Sequence, residues 1–152
     1  MTRRRSAATA ALVLLAGCGS GAGSPAPAPP GPAAARVGSV DLRVELASTD
    51  AQREQGLRGR GQVPPGTGMA FPYDAPRPVR FTMAGVALPL VAVFARDGRA
   101  LSVEQLRPCA GSVAQCPLYG PPDPVDLVIE AAPGTLAGVR VGDSVTLEAP
   151  GR

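Results

Sequence analysis

The chain has 152 residues, with 15 basic and 12 acidic side chains, no histidine and a formal charge of +3. Every basic residue is arginine, and Arg3, Arg4 and Arg5 stand in a leader, so the other 12 balance the 12 acids and leave no clustered cations for nucleic acid. Without histidine or tryptophan, the commonest general base and the commonest sugar-stacking ring are also missing.

The leader runs from Arg3, Arg4 and Arg5 into an apolar stretch, Ala7 to Ala16, that ends in small residues. That layout is a secretory signal, and the stretch is far shorter than the roughly 20 residues a helix needs to cross a bilayer. Leu15-Ala16-Gly17-Cys18 resembles the lipobox of bacterial lipoproteins, in which the cysteine takes a diacylglycerol and becomes the new N-terminus. Residues 1–17 are therefore expected to be a signal peptide and Cys18 the lipidation site. The partner is then a membrane, reached on its extracytoplasmic face through the lipid. Gly19 to Ala35 carry no charge and no large apolar side chain, so 18–36 are read as an extended tether.

From 37 to 149 the chain alternates apolar and polar residues, enough for one domain with one core, expected to be a monomer. Val40, Leu42, Val44 and Leu46 alternate with Asp41, Arg43 and Glu45 and predict a strand. Thr49 with Gln52 forms a capping box for a short helix to about Leu57. A Gly- and Pro-rich loop precedes a short extended segment at Met69 to Phe71, and Pro76 and Pro78 predict a break before a strand at Val79 to Met83. Leu88 to Ala95 is nearly all apolar, and Asp97-Gly98 turns it into a hairpin whose first strand is buried on both faces. Residues 107–123 hold four prolines and two cysteines and read as a surface loop. Strands at Asp126 to Glu130 and Val145 to Leu147 close the domain. The fold class is α+β, mainly β, with a small curled or barrel-like sheet and one short helix.

With Cys18 taken by lipid, Cys109 and Cys116 remain as a pair; their six-residue spacing suits neither a C-x-x-C redox motif nor a zinc knuckle, and a structural disulfide is expected. No metal or cofactor is expected.

The ordered string Gly56-Leu57, Val63-Pro64, Gly68-Met69, Phe81-x-Met83, Pro89-Leu90, Phe94, Asp97-Gly98, Pro108-Cys109, Cys116, Tyr119 and Val141-Gly142-Asp143 resembles the DUF192 (UPF0127) family over nearly all of the domain. The resemblance implies a compact β-rich fold with no established activity. Many relatives carry F-W-M-K-N-T followed by P-L-D. Here Phe81-Thr82-Met83-Ala84-Gly85-Val86 and Pro89-Leu90-Val91 stand instead, so a function resting on that Trp, Lys, Asn and Asp is not expected to carry over.

Candidate ligand-binding residues are Arg77 and Arg80, able to grip a carboxylate or phosphate, with Met83 and Tyr119 near them. No catalytic residue is assigned. Two functions remain: a tethered, non-catalytic binding or accessory module, and an enzyme using carboxylates and arginines, for instance Asp123 with Asp126. A converging cleft holding one carboxylate of raised pKa favours the enzyme; a shallow, neutral, apolar patch favours the module.

Overall fold

The computed structural model describes residues 29–148. The leader, Cys18 and the tether as far as residue 28 lie outside the described residues, as do residues 149–152. Ten elements follow in order: β1 (Gly31–Val37), β2 (Val40–Leu46), α1 (Asp50–Gln55), β3 (Thr67–Arg77), β4 (Phe81–Thr82), β5 (Leu90–Arg96), β6 (Arg99–Leu106), β7 (Leu118–Tyr119), β8 (Val125–Ala131) and β9 (Val145–Glu148).

The first strand corrects the expected tether boundary at residue 36. Gly31–Val37 pairs antiparallel with β2 along its whole length and with β9 through Ala34 to Val37. Ladder hydrogen bonds come from the backbone, so a run of alanines serves as well as larger residues once neighbours flank it on both sides. Ala35 and Val37 are buried. Gly38, at φ +57°, supplies the positive dihedral that this two-residue hairpin turn requires.

Seven strands form one sheet in the order β6-β5-β8-β3-β2-β1-β9. It curls until its ends approach: Ala100 N donates to Asp143 O, Gly142 N to Ala100 O and Val145 N to Gly98 O. Asp97 and Gly98, at φ +50° and +72°, make the β5–β6 turn. The concave face encloses one core, with Val37, Val44, Val91, Val93, Ile129 and Val145. The convex face carries a second, with Met69, Phe71, Leu90, Phe94, Val125 and Val128, covered by Leu57, Val79, Met83 and Val86. The central strands are thus apolar on both sides, and all of β5 except Arg96 is buried.

Local chemistry explains where elements begin and stop. Thr49 and Gln52 cap α1 reciprocally, and the Gly56 N–H closes the helix on Gln52 O. The strand β3 runs through Pro72 and Pro76 to Arg77, beyond the expected break, because β2 pairs with it only as far as Ala70. Past that point the prolines withhold a donor only from an open edge, and the register with β8 shifts between Pro72 and Arg77. The strand expected over Val79 to Met83 shrinks to Phe81–Thr82, paired with Leu118–Tyr119 in a separate small sheet. Gly68 lies so close to β8 that a Cβ there would stand 2.2 Å from Glu130 O. Cys109 and Cys116 are joined by a disulfide.

Candidate functional site

A cleft of about 320 Å³ opens between α1 with its following turn and the 77–83 segment, above the convex face of the sheet. Each wall follows from a local constraint. The capping box fixes α1, while the Arg58 Nε donates to Ala84 O at 2.9 Å and ties the turn after the helix to the opposite wall. Arg80 Nη1 donates to Val79 O and to Pro121 O, which holds the 77–83 segment against the loop before β8. Phe81 stands edge-on to Phe71, with ring centroids 4.9 Å apart, and edge-on to Phe94 at 5.7 Å. Leu57, Phe71, Phe81, Met83 and Val86 give the cleft its apolar surface.

Four arginines line it: Arg53, Arg58, Arg77 and Arg80. They are not equivalent. Arg53 is committed to structure, donating to Ser48 O, Pro72 O and Asp50 Oδ1, and its guanidinium lies 5.3 Å from the Tyr73 ring centroid. Arg77 lies 5.6 Å over the same ring and donates to no protein acceptor among the described residues. Among the described residues, Arg58 donates only through its Nε. Asp50 and Glu54 stand at the acidic rim. The hydrogen bond from Arg53 holds the Asp50 carboxyl below its ordinary pKa, and burial pushes the Tyr73 phenol up.

At the floor lies Glu130, on β8 between Met69 of β3 and Ala92 of β5. Only 5% of it is exposed. Burial pushes its carboxyl from an ordinary 4.5 up to about 8, against the opposing field of Arg58, so the acid is largely protonated at neutral pH. Glu45, paired with Met69, and Glu104, paired with Ala92, extend the same row of the sheet; they are engaged by Arg60 and by Ser102 and Gly120 respectively.

Of the residues singled out from sequence, Arg77, Arg80 and Met83 line this cleft, and Tyr119 does not. Tyr119 faces Phe81 across the small sheet, and its hydroxyl accepts from Arg107 N at 3.3 Å. Asp123 and Asp126 also lie elsewhere; Asp126 accepts from Asp97 N and braces the hairpin turn. Glu130, Arg58 and Arg53 were missed. The string Val125-Asp-Leu-Val-Ile-Glu-Ala carries two acids four residues apart, and nothing local separates a half-buried Asp126 from a buried Glu130. No group of ligands suited to a metal ion occurs among the described residues.

The family model DUF192, described as "Uncharacterized ACR", matches residues 33–147, from within β1 to within β9. The chain belongs to the DUF192 family. Two solved structures are similar to it. One, described as a "putative transcription regulator" from Sinorhizobium meliloti 1021, is 32% identical, with a TM-score of 0.70 over 79% of this chain and 96% of that one. The other, a protein of unknown function from Novosphingobium aromaticivorans DSM 12444, is 25% identical, with a TM-score of 0.64 over 80% of this chain and 94% of that one. No curated protein matches. In this DUF192 domain, Phe81, Thr82, Met83 and Val86 form one wall of the cleft, which is largely apolar.

Proposed function

We propose that this protein is a lipid-anchored, extracytoplasmic binding module whose DUF192 domain takes a small ligand in the cleft over Glu130. The observation that carries the reading is the cleft itself: it is concave and sets an apolar wall beside charged side chains, and in small-molecule sites apolar surface takes the body of a ligand while polar groups fix its orientation. Anchoring rests on the lipobox at Leu15 to Cys18 and the uncharged, proline-rich stretch behind it. Two acyl chains supply the stable attachment that one does not. No described helix is long and apolar enough to cross a membrane. Pro29 and Pro30 lie beside Gln55, Gly56 and Arg58, which also line the cleft, so a tether would leave the domain next to the site.

One observation favours an enzyme. The cleft is not a shallow neutral patch, and Glu130 is a carboxylic acid titrating close to neutrality, the property of a general acid. A general acid needs a nucleophile or base across from it. Asp50 is held by Arg53, and Thr82 Oγ1 accepts from Ala84 N, so the two readings divide on whether bound ligand is released unchanged.

The test has two independent arms. Metabolic labelling with a fatty acid should mark the wild-type chain and not Cys18→Ala, and the mature N-terminus should be Cys18; an unmodified cysteine refutes the anchor. Ligands captured by the protein from a periplasmic or culture-medium extract should be recovered unaltered by mass spectrometry and lost in Arg58→Gln/Arg77→Gln. Turnover of the captured compound establishes the enzyme instead.

A further inference from the structure

The floor of the cleft is built around one acid that the protein leaves unpaired. No described residue donates a hydrogen bond to the Glu130 carboxyl, and the sliver of it that is exposed opens into the cleft. Among the described residues no fully buried side-chain polar atom lacks a partner, so the Glu130 carboxyl remains reachable from the cleft, where water or a ligand can meet it. Among the described residues, the terminal nitrogens of Arg58 and the whole guanidinium of Arg77 have no protein acceptor. Donors therefore converge from below and from the mouth on a space walled by Leu57, Phe71, Phe81, Met83 and Val86.

We propose that the cleft binds a small monocarboxylate with a compact apolar body, its carboxylate accepting hydrogen bonds from the Glu130 carboxyl and from the guanidiniums of Arg58 and Arg77. This rests on the cleft being the binding site. An arginine matches a carboxylate with two parallel N–H donors, and a neutral carboxyl adds a short, charge-assisted bond. The apolar wall of Leu57, Phe71, Phe81, Met83 and Val86 favours a ligand with a hydrocarbon part.

Glu130 must hold its proton for this to work. The groups around it set that condition. Met69 and Ala92, its neighbours on β3 and β5, are apolar, and Glu45 and Glu104 lie one position further along the row, each engaged elsewhere. Arg58 is the cation that acts on it; Asp50, Arg53, Glu54, Tyr73, Arg77 and Arg80 line the cleft further out. Its pKa of about 8 keeps it a donor at neutral pH.

The experiment titrates the full chain in detergent micelles with benzoate, following Met83 and the Phe81 ring by NMR, with benzamide, phenyl phosphate and inorganic phosphate as parallel arms. Benzoate should bind saturably at pH 6.5, and its affinity should fall about tenfold between pH 7 and pH 9 as Glu130 ionises and repels it. Glu130→Gln, which keeps a donor, should bind within about threefold of wild type and lose that pH dependence, while Glu130→Leu should bind at least about tenfold more weakly. Arg77→Gln, at an exposed position, should also weaken binding, so the proposal stays testable if the leucine variant fails to fold. Benzoate binding that is absent, independent of pH in wild type, or unchanged in Arg77→Gln overturns the proposal. Binding of benzamide or a phosphate in place of benzoate overturns the carboxylate class while leaving the binding-module reading intact.

Discussion

Glu130 should make this protein less stable as pH rises from 5 to 8, the reverse of the usual response to leaving acid. Its folded pKa of about 8 lies above the ordinary 4.5, so the native state holds the proton more tightly than the unfolded chain. The stabilising effect of that proton is complete below the unfolded value and is lost as pH climbs through the folded one. Each pKa unit corresponds to about 1.4 kcal/mol, giving a loss of about 2.5 kcal/mol between pH 5 and pH 7 and a plateau near 5 kcal/mol above pH 9. Against a total stability of about 5–15 kcal/mol for a domain of this size, the effect is large. The window is also clean. The chain has no histidine, the lowered carboxyl of Asp50 titrates below it and the raised phenol of Tyr73 above it. Urea unfolding at pH 5, 6, 7 and 8 should show the midpoint falling with an unchanged slope. Glu130→Gln should be flat over the same range and, near pH 7, melt roughly 5–10 °C above wild type. A wild-type midpoint constant from pH 5 to 8, or a glutamine variant that tracks wild type, refutes the assignment of a buried, protonated acid to this position.

Three further perturbations test the scaffold. Gly68→Ala should destabilise by roughly 3 kcal/mol or more, because the new Cβ meets the Glu130 carbonyl rather than a movable side chain, and the loss should appear in thermal melts. Starting the chain at Arg36 instead of Pro29 removes the Gly31 to Ala35 half of the β1 ladder; the shorter form should melt lower and show faster amide exchange in β2 and β9, and equal melting of the two forms refutes the structural role of β1. Replacing Cys109 and Cys116 with serine should lower stability by roughly 2–3 kcal/mol on the chain-entropy model, loosening the segment from Arg107 to Tyr119 in hydrogen exchange while the large sheet keeps its protection.

How much of this was readable from sequence depends on whether the controlling physics is local. The capping box at Thr49 and Gln52, the Asp97-Gly98 turn and the alternation of β2 are decided within a few residues, and all three stand in the structure. The disulfide between Cys109 and Cys116 was expected from parity with Cys18 set aside as a lipidation candidate, a count rather than a geometry. The strand β1 was illegible because Gly-Pro-Ala-Ala-Ala has no side-chain signature; only two flanking strands, one of them more than 100 residues away in sequence, turn it from spacer into sheet. The cleft was half legible. Two arginines beside prolines marked its mouth at Arg77 and Arg80. Its floor gave no signal, since the period-two rule assigns faces only when one of them is wet, and β8 is covered on both. The sheet supplies the floor of the cleft, and the same burial that makes Glu130 unfavourable as an anion makes it available as a donor. A carboxyl whose environment is built by four separate elements, β3, β5, the turn after α1 and the 77–83 segment, is a property of the assembled fold, which is why the most chemically informative residue in the chain is also the least conspicuous in its sequence.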